Sequence, residues 1–155
     1  MKFLELKNII QTNELLKRYT ELFKGSKIEF EVYSCKKTRE ERRNKTIDDP
    51  LGFFINALEM AFEDESFKTL ILEDFHKTKP SKLFNDIAYI LVINNKSTKE
   101  TVEYVTYIKL LLKQTIGIYN ADIYKITNLR QIYEDVYLMY NKKMKRILII
   151  KMNCK

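Results

Sequence analysis

The stretch Ala88-Tyr89-Ile90-Leu91-Val92-Ile93 contains no charged residue and ends abruptly at a pair of asparagines. Two shorter apolar runs, residues 69–72 and residues 147–150, stand on either side of it in the chain. Short, continuous apolar runs separated by helical patterns are typical of strands buried on both faces of a covered, parallel sheet. The sequence therefore predicts an α/β fold, a single layered sandwich whose mixed, largely parallel central sheet of about five strands is flanked by helices.

The rest of the chain alternates between helical and extended patterns. Helices are predicted at residues 12–25, 49–65, 97–117 and 128–140, and residues 80–86 fit a short helix or a turn. Residues 36–50 are predicted as an exposed loop or a solvated helix, and residues 75–80 as a loop. Further strands are predicted at 28–32 (an edge position), 116–119 and 146–152, and residues 2–6 fit an edge strand or a helical turn equally well. Thr12, Asp49 and Ser97 or Thr98 are the expected N-caps, since a short polar side chain there accepts a hydrogen bond from the first helical turn.

Length and composition predict one domain, residues 1–155, with an exposed basic loop at 36–50. The chain has 155 residues, 45% of them hydrophobic, but only three Gly and two Pro, so no linker divides it. Cys35 and Cys154 have no metal-binding or redox spacing and are interpreted as free thiols. Glu5 interrupts any signal sequence, and no apolar run approaches the ~18 residues of a membrane span. We therefore expect a cytoplasmic protein without a membrane partner.

The net charge of +7 is concentrated in two segments. Residues 36–45 contain six basic and two acidic residues, and residues 142–155 contain six basic residues and no acidic one. Together the two segments have a net charge of +10, so the remainder of the chain has −3. Residues 48–74, in contrast, contain eight acidic residues and one lysine. The sequence thus predicts an electrically polar molecule with a basic end and an acidic belt.

Clustered lysines and arginines near tyrosines are typical of nucleic-acid binding, because the charges bind phosphates and aromatic rings stack on unpaired bases. The candidate nucleic-acid-binding residues are Lys36, Lys37, Arg39, Arg42, Arg43, Lys45, Lys142, Lys143, Lys145 and Arg146. Tyr33, Tyr137 and Tyr140 lie close to them in sequence. The first hypothesis is a non-enzymatic protein that binds RNA or a ribonucleoprotein, such as a ribosome-associated factor. The alternative is a protein-interaction module that caps or inhibits a partner, with the acidic belt or exposed aromatic residues as its contact face.

A third hypothesis is a metal-dependent nuclease. Glu73, Asp74, His76 and Lys77 follow the predicted strand at residues 69–72, and acids with a lysine at such a place can hold a cation and position the attacking water. An exposed loop of charged residues is the preferred interpretation of the same stretch. No glycine-rich phosphate-binding motif accompanies them, so a nucleotide-hydrolysing site is not expected, and the sequence predicts no cofactor.

The predicted order of elements in residues 81–119 is similar to that of the kink-turn-binding ribosomal proteins. It places Lys82 on a short helix, an apolar strand ending at Asn94, a long helix and a last short strand. The glycine that begins the RNA-contacting helix in that family is absent from residues 76–79. For this reason no site residue is assigned from the resemblance.

Overall fold

The computed structural model of the protein describes residues 1–21, 26–43, 49–94, 97–126, 129 and 135–153. Its helices are α1 (Lys7–Glu21), α2 (Arg39–Arg43), α3 (Pro50–Ala61), α4 (Pro80–Ile93) and α5 (Thr98–Thr115). Its strands are β1 (Lys2–Phe3), β2 (Lys27–Ser34), β3 (Phe75–Thr78), β4 (Asp122–Ile126), β5 (Asp135–Asn141) and β6 (Arg146–Asn153). Two 3-10 turns, Leu72–Asp74 and Ile118–Asn120, precede β3 and β4. Over these ranges, no helix combines the length and the apolar character needed to cross a membrane.

Within the described ranges the strands form one six-stranded sheet in the order β1-β2-β6-β5-β4-β3. Every pair of neighbouring strands runs antiparallel. The prediction of a largely parallel sheet is therefore wrong. It failed because burial of both faces of a strand does not require parallel neighbours: β5 and β6 are joined by a short hairpin and are still covered on both sides.

Helices cover both faces of the sheet. One face packs against α1, α4 and α5, and the other packs against α3 and the chain that follows it. In β6, Leu148 and Ile150 face the first layer while Ile147 and Ile149 face the second, and all four are fully buried. The apolar run at residues 147–150 is thus a central strand buried on both faces, as predicted.

The stretch at residues 88–93 is helical and forms the second half of α4, so its assignment as a strand is wrong. The buried residues of α4 recur at helical spacing: Leu83, Phe84, Ile87, Ile90 and Leu91. Pro80 occupies the first turn, where its missing N–H costs nothing. A short apolar run cannot by itself distinguish a strand from a buried helix. The signal that identifies the helix is the helical spacing of the apolar residues from Leu83 onward. It was missed because the prediction ended one element near residue 86, in the middle of this pattern.

Two predictions for the chain just before residues 88–93 are also wrong. Residues 69–72 form no strand but lead into the 3-10 turn Leu72–Asp74, and β3 occupies part of the predicted loop at 75–80. The similarity to the kink-turn-binding proteins is lost as well, because it required an apolar strand at 88–93.

The chain after α5 was also predicted incorrectly. Residues 116–119 follow the end of α5 and lead into the 3-10 turn Ile118–Asn120 instead of forming a strand, and the five residues of β4 were missed. The predicted helix at 128–140 is contradicted by β5, while residues 127–128 and 130–134 lie outside the described residues. β5 is buried on both faces, so its apolar residues lack the alternation that identifies a half-exposed strand.

The local capping signals were read correctly in two helices. Asp49 accepts a hydrogen bond from the N–H of Leu51 at 3.1 Å and caps α3. Ser97 accepts one from the N–H of Glu100 at 3.2 Å and caps α5, which ends before Gly117 in the left-handed conformation (φ 59°). Helix α1 begins at Lys7, so the predicted N-cap Thr12 lies inside it, and Gly25 is outside the described residues.

Strand β2 confirms the alternating pattern at residues 28–32, but it is the second strand of the sheet and not its edge. The two-residue β1 pairs only with its last residues, Tyr33 and Ser34. Further along β2, the side chain of Asn13 on α1 replaces a strand partner: its Nδ2 donates to the carbonyl of Phe30 at 2.7 Å, and its Oδ1 accepts from the N–H of Phe30 at 2.9 Å.

Candidate functional surfaces: a basic pocket and an apolar helix face

The two basic segments meet at one end of the sheet. β2 ends at Ser34, which pairs with Arg146 at the start of β6. The N–H of Cys35 then donates to the carbonyl oxygen of Lys145 at 2.8 Å. This contact places residues 35–43 beside the β5–β6 hairpin, although the two segments are about a hundred residues apart in sequence.

A pocket of about 260 Å³ lies between the two segments. We call it the basic pocket; its charged lining residues are Lys37, Arg42, Lys142 and Lys145, and its remaining walls are Cys35, Phe53 and Tyr140. The rings of Phe53 and Tyr140 are 6.4 Å apart between centroids. Burial raises the pKa of the Cys35 thiol to about 11, so this wall is uncharged at neutral pH. The lining thus combines four positive charges with an apolar back wall.

The predicted nucleic-acid-binding residues divide into three groups. Lys37, Arg42, Lys142 and Lys145 line the basic pocket. The others on the surface, Lys36, Arg39, Arg43 and Lys143, are exposed and do not line it. Arg146 is half-buried and donates to the carbonyl of Thr115 at 2.9 Å, while Lys45 lies outside the described residues. The predicted exposed loop at 36–50 contains α2 and the N-terminus of α3.

The aromatic residues near the basic segments are mostly part of the core. Tyr33 and Tyr137 are 1% and 0% exposed, so neither ring can stack on a base. Tyr140 alone among the three predicted tyrosines reaches the basic pocket. Phe53, the second ring of the pocket, was assigned to the core face of its helix together with Phe54. No sequence signal separated the two, because the distinction depends on what packs over α3.

The β5–β6 hairpin is held in one conformation by Asn141. Its buried side chain donates from Nδ2 to the carbonyl of Ile116 at 2.8 Å and accepts from the N–H of Met144 at 3.0 Å. The turn closes with Lys145 at φ 53°, in the left-handed region where glycine or asparagine is the usual residue. Three of the four residues in this turn are lysines, Lys142, Lys143 and Lys145.

The residues proposed for metal-dependent cleavage do not converge. Asp74 Oδ2 accepts from the N–H of Ile71 at 2.9 Å within its own turn, and Lys77 Nζ pairs with Asp122 Oδ1 at 2.8 Å. Neither lies at the end of a parallel strand, since β3 is an antiparallel edge strand. Among the described residues, no group of three His, Cys, Asp or Glu side chains is arranged to hold a metal ion. The described residues therefore give the nuclease hypothesis no support.

Asp86 lies at the centre of a polar network between α4 and the sheet. It accepts a hydrogen bond from the hydroxyl of Tyr137 and pairs with Lys82 at 3.1 Å and Lys125 at 3.4 Å. Burial alone would raise the pKa of Asp86, but the hydrogen bonds from Tyr137 and Lys82 and the charge of Lys125 together lower it below its usual value of 3.8. The folded protein thus favours the ionised carboxylate.

We expect the Asp86 network to make stability dependent on acid pH. Because the folded-state pKa is lowered, the stabilising contribution is complete above the ordinary pKa and is lost as the pH falls through the folded value. Replacing Asp86 by Asn should therefore cost about 1 kcal/mol of unfolding free energy at neutral pH and less at pH 3. Denaturant unfolding at both pH values measures this difference, with Asp122→Asn in an exposed ion pair as the control. Identical pH profiles for the wild type and Asp86→Asn would contradict the assignment.

The outer side of α4 and α5 carries large apolar side chains that are exposed. We call this surface the apolar helix face and define it as Tyr89, Val92, Ile93, Val102 and Leu110. Tyr89, Val92 and Val102 are 62%, 52% and 58% exposed. A helix that is apolar all round is normally covered on all sides. The second half of α4 is such a helix, but within the described part of the chain only its inner side is covered.

Comparisons with known proteins support one fold. No family model matches the chain. Two uncharacterized proteins of Encephalitozoon cuniculi (strain GB-M1) are each 28% identical to it over 155 residues, covering 97% of this chain and 96% of each relative. Crystal structures of citrus MAF1 superpose on it with a TM-score of 0.71 at 15% identity, covering 96% of this chain and 97% of that one, and with 0.67 at 16% in a second crystal form. The protein therefore has the antiparallel fold of citrus MAF1.

Proposed function

We propose that this protein is a non-enzymatic regulator that acts by binding a partner protein, and that the partner is RNA polymerase III. The observation that carries the proposal is the likeness to citrus MAF1, which extends over 96% of this chain and 97% of that one. MAF1 is a repressor of RNA polymerase III. This role corresponds to the alternative hypothesis drawn from the sequence, a module that caps or inhibits a partner, more closely than to ribosome association.

The apolar helix face supports a role in protein binding. Side chains such as Tyr89, Val92 and Val102 expose apolar surface on two neighbouring helices, and exposed apolar patches are typical of interaction sites. A tyrosine among aliphatic residues also matches the composition of interface cores, where aromatic residues contribute most of the binding energy. We therefore assign the contact with the polymerase to this face.

A carboxylate on the apolar helix face is expected to block partner binding. Val92→Glu or Tyr89→Glu would bury a charge without a partner in the complex, which lowers affinity at least about tenfold. Affinity capture of RNA polymerase III from cell lysate, after ribonuclease treatment, measures the loss. Ser81→Glu is the matched control, because Ser81 is exposed on the same helix about two turns from Tyr89.

The proposal has two separable parts. If the wild-type protein neither captures RNA polymerase III nor lowers its transcription in vitro, the assignment of the partner is wrong. If the wild type binds and both glutamate variants bind equally well, the assignment of the contact face is wrong. Circular dichroism and thermal unfolding of each variant establish that the fold is retained.

Docking to RNA through the basic segments is the second candidate function. It is favoured by one observation, the convergence of Lys37, Arg42, Lys142 and Lys145 on a single pocket. Binding of this kind should weaken steeply with salt and disappear after ribonuclease treatment, whereas direct binding of a protein partner should survive the nuclease.

The cytoplasmic location of the protein stays a prediction.

A further inference from the structure

The basic pocket has features of a built site that a solvated surface does not require. Its four cations come from two segments that the sheet brings together, and none of the described residues that line it is acidic. Like charges placed around one cavity repel each other, an effect that a bound anion relieves. The pocket therefore has a marked preference for a negatively charged group.

The backbone of the hairpin strengthens this interpretation. Lys145 adopts a left-handed conformation that is unfavourable for a residue with a Cβ atom, and its carbonyl is held by the N–H of Cys35 at 2.8 Å. Glycine at this position would adopt the same conformation without strain. Strain of this kind is typical of functional sites. The strained residue, Lys145, also supplies one of the four positive charges of the pocket.

We propose that the basic pocket binds a phosphate monoester. A monoester at neutral pH has up to about two negative charges and three acceptor oxygens, which matches four surrounding cations better than one carboxylate or one phosphodiester, each with a single charge. The apolar wall of Phe53, Tyr140 and the neutral Cys35 thiol excludes water behind the group, and this strengthens each charged contact.

The size of the pocket indicates how the phosphate is presented. A volume of about 260 Å³ lies below the ~300–1,000 Å³ of pockets that enclose a whole small molecule. It therefore accommodates one group at the end of a ligand and not the entire ligand. Two sources share this chemistry: a phosphorylated side chain of a protein, and a small phosphorylated metabolite whose remainder stays in solvent.

A continuous RNA strand fits the surroundings of the pocket less well. From Phe53 at the pocket, α3 leads to Glu59 and then to the acidic residues Glu63, Asp64 and Glu65. These acids would repel a backbone that has a phosphate at every nucleotide. A discrete pocket on a helix that leads to acidic residues favours a short ligand with one strongly charged group.

The inference is tested on the purified protein by isothermal titration with matched probes. They are inorganic phosphate, a phosphoserine peptide and its unphosphorylated counterpart, and a short RNA with and without a 5′-phosphate. We expect the phosphopeptide to bind at least about tenfold more tightly than its counterpart, and Lys145→Gln to remove about tenfold of that affinity. The matched control is Lys143→Gln, which removes a lysine from the same hairpin that does not line the pocket.

The outcomes separate the possibilities. If inorganic phosphate binds as tightly as the phosphopeptide, the ligand is a small phosphorylated molecule; if the peptide binds far more tightly, the ligand is a phosphorylated protein. Equal affinity for both peptides, or for RNA with and without its 5′-phosphate, would overturn the proposal, as would equal losses in Lys143→Gln and Lys145→Gln. None of these probes includes the polymerase, so the result is independent of the proposed function.

Discussion

Replacing Lys151 by Ala is expected to lower the free energy of unfolding by about 3–5 kcal/mol. Lys151 is in the central strand β6, and its Nζ lies 2.6 Å from Glu31 Oε1, 2.6 Å from the carbonyl oxygen of Ala61 and 4.7 Å from the centre of the Phe62 ring. The side chains of the pair are only 8% and 16% exposed. Truncating the lysine leaves the Glu31 carboxylate and a helix-end carbonyl without their donor in a dry environment, which is the source of the large cost.

The hydroxyl of Tyr33 adds to this cluster by donating to Glu31. Burial, followed by the hydrogen bond and charge of Glu31, raises the pKa of Tyr33 well above its usual range, so the phenol stays a donor. The Tyr33 hydroxyl cannot replace the ammonium group of Lys151, because Glu31 Oε1 and the carbonyl oxygen of Ala61 both accept their hydrogen bonds from Lys151.

Urea unfolding of Lys151→Ala at neutral pH measures the effect. Lys27→Ala is the control: Lys27 forms an ion pair with Glu29 at 2.6 Å in the neighbouring strand, but the side chains are 48% and 32% exposed, so a change below about 1 kcal/mol is expected. A double replacement, Glu31→Leu with Lys151→Met, should recover part of the lost stability, since no buried charge remains, although the Ala61 carbonyl and the Tyr33 hydroxyl lose their hydrogen-bond partners. Equal effects of Lys151→Ala and Lys27→Ala would contradict this account.

Phe54→Ala is expected to destabilise the protein by about 3–5 kcal/mol. Phe54 is 1% exposed in the first half of α3, and its ring centroid lies 5.2 Å from those of Phe75 and Tyr124 and 5.6 Å from that of Tyr140. These rings belong to three different strands of the sheet. The cavity left by alanine would therefore separate α3 from the part of the sheet that it covers.

The adjacent Phe53 provides the control for this prediction. It is half-buried and faces the basic pocket, and among the described residues its ring contacts one other ring, at 6.4 Å between centroids, so Phe53→Ala should cost less than about 2 kcal/mol. Both substitutions change the helix propensity of α3 by the same amount, and thermal or urea unfolding compares them directly. A cost for Phe53→Ala as large as that for Phe54→Ala would mean that the two side chains are buried to a similar degree.

Signals that act within a few residues could be read from the sequence. The N-caps Asp49 and Ser97, the end of α5 before Gly117 and the doubly buried strand at residues 147–150 are all found where they were predicted. The caps depend on hydrogen bonds inside one helical turn, so neighbouring residues suffice to specify them, whereas the run at residues 147–150 was identified by its short length and its β-branched residues. The concentration of positive charge in two segments is likewise a property of the sequence alone.

The state of residues 88–93 was decided by tertiary packing. An apolar run of this length is compatible with a strand or with a helix, and the choice follows from which residues upstream share its buried face. In α4 that face is covered by α5 and the sheet, while Tyr89 and Val92 stay exposed. The same ambiguity caused β5 to be predicted as a helix.

The candidate site depended still more on long-range contacts. Lys37 and Lys145 were both predicted as binding residues, but only the pairing of β2 with β6 brings them to one pocket. The same strand places Lys151 in the core and Arg146 against the carbonyl of Thr115, although both were counted in the basic segment. Residue types and their local spacing determined the caps, the central strand and the charge distribution. Strand order and burial involve partners about a hundred residues apart, so only the folded packing could decide which charges form a site and which hold the core together.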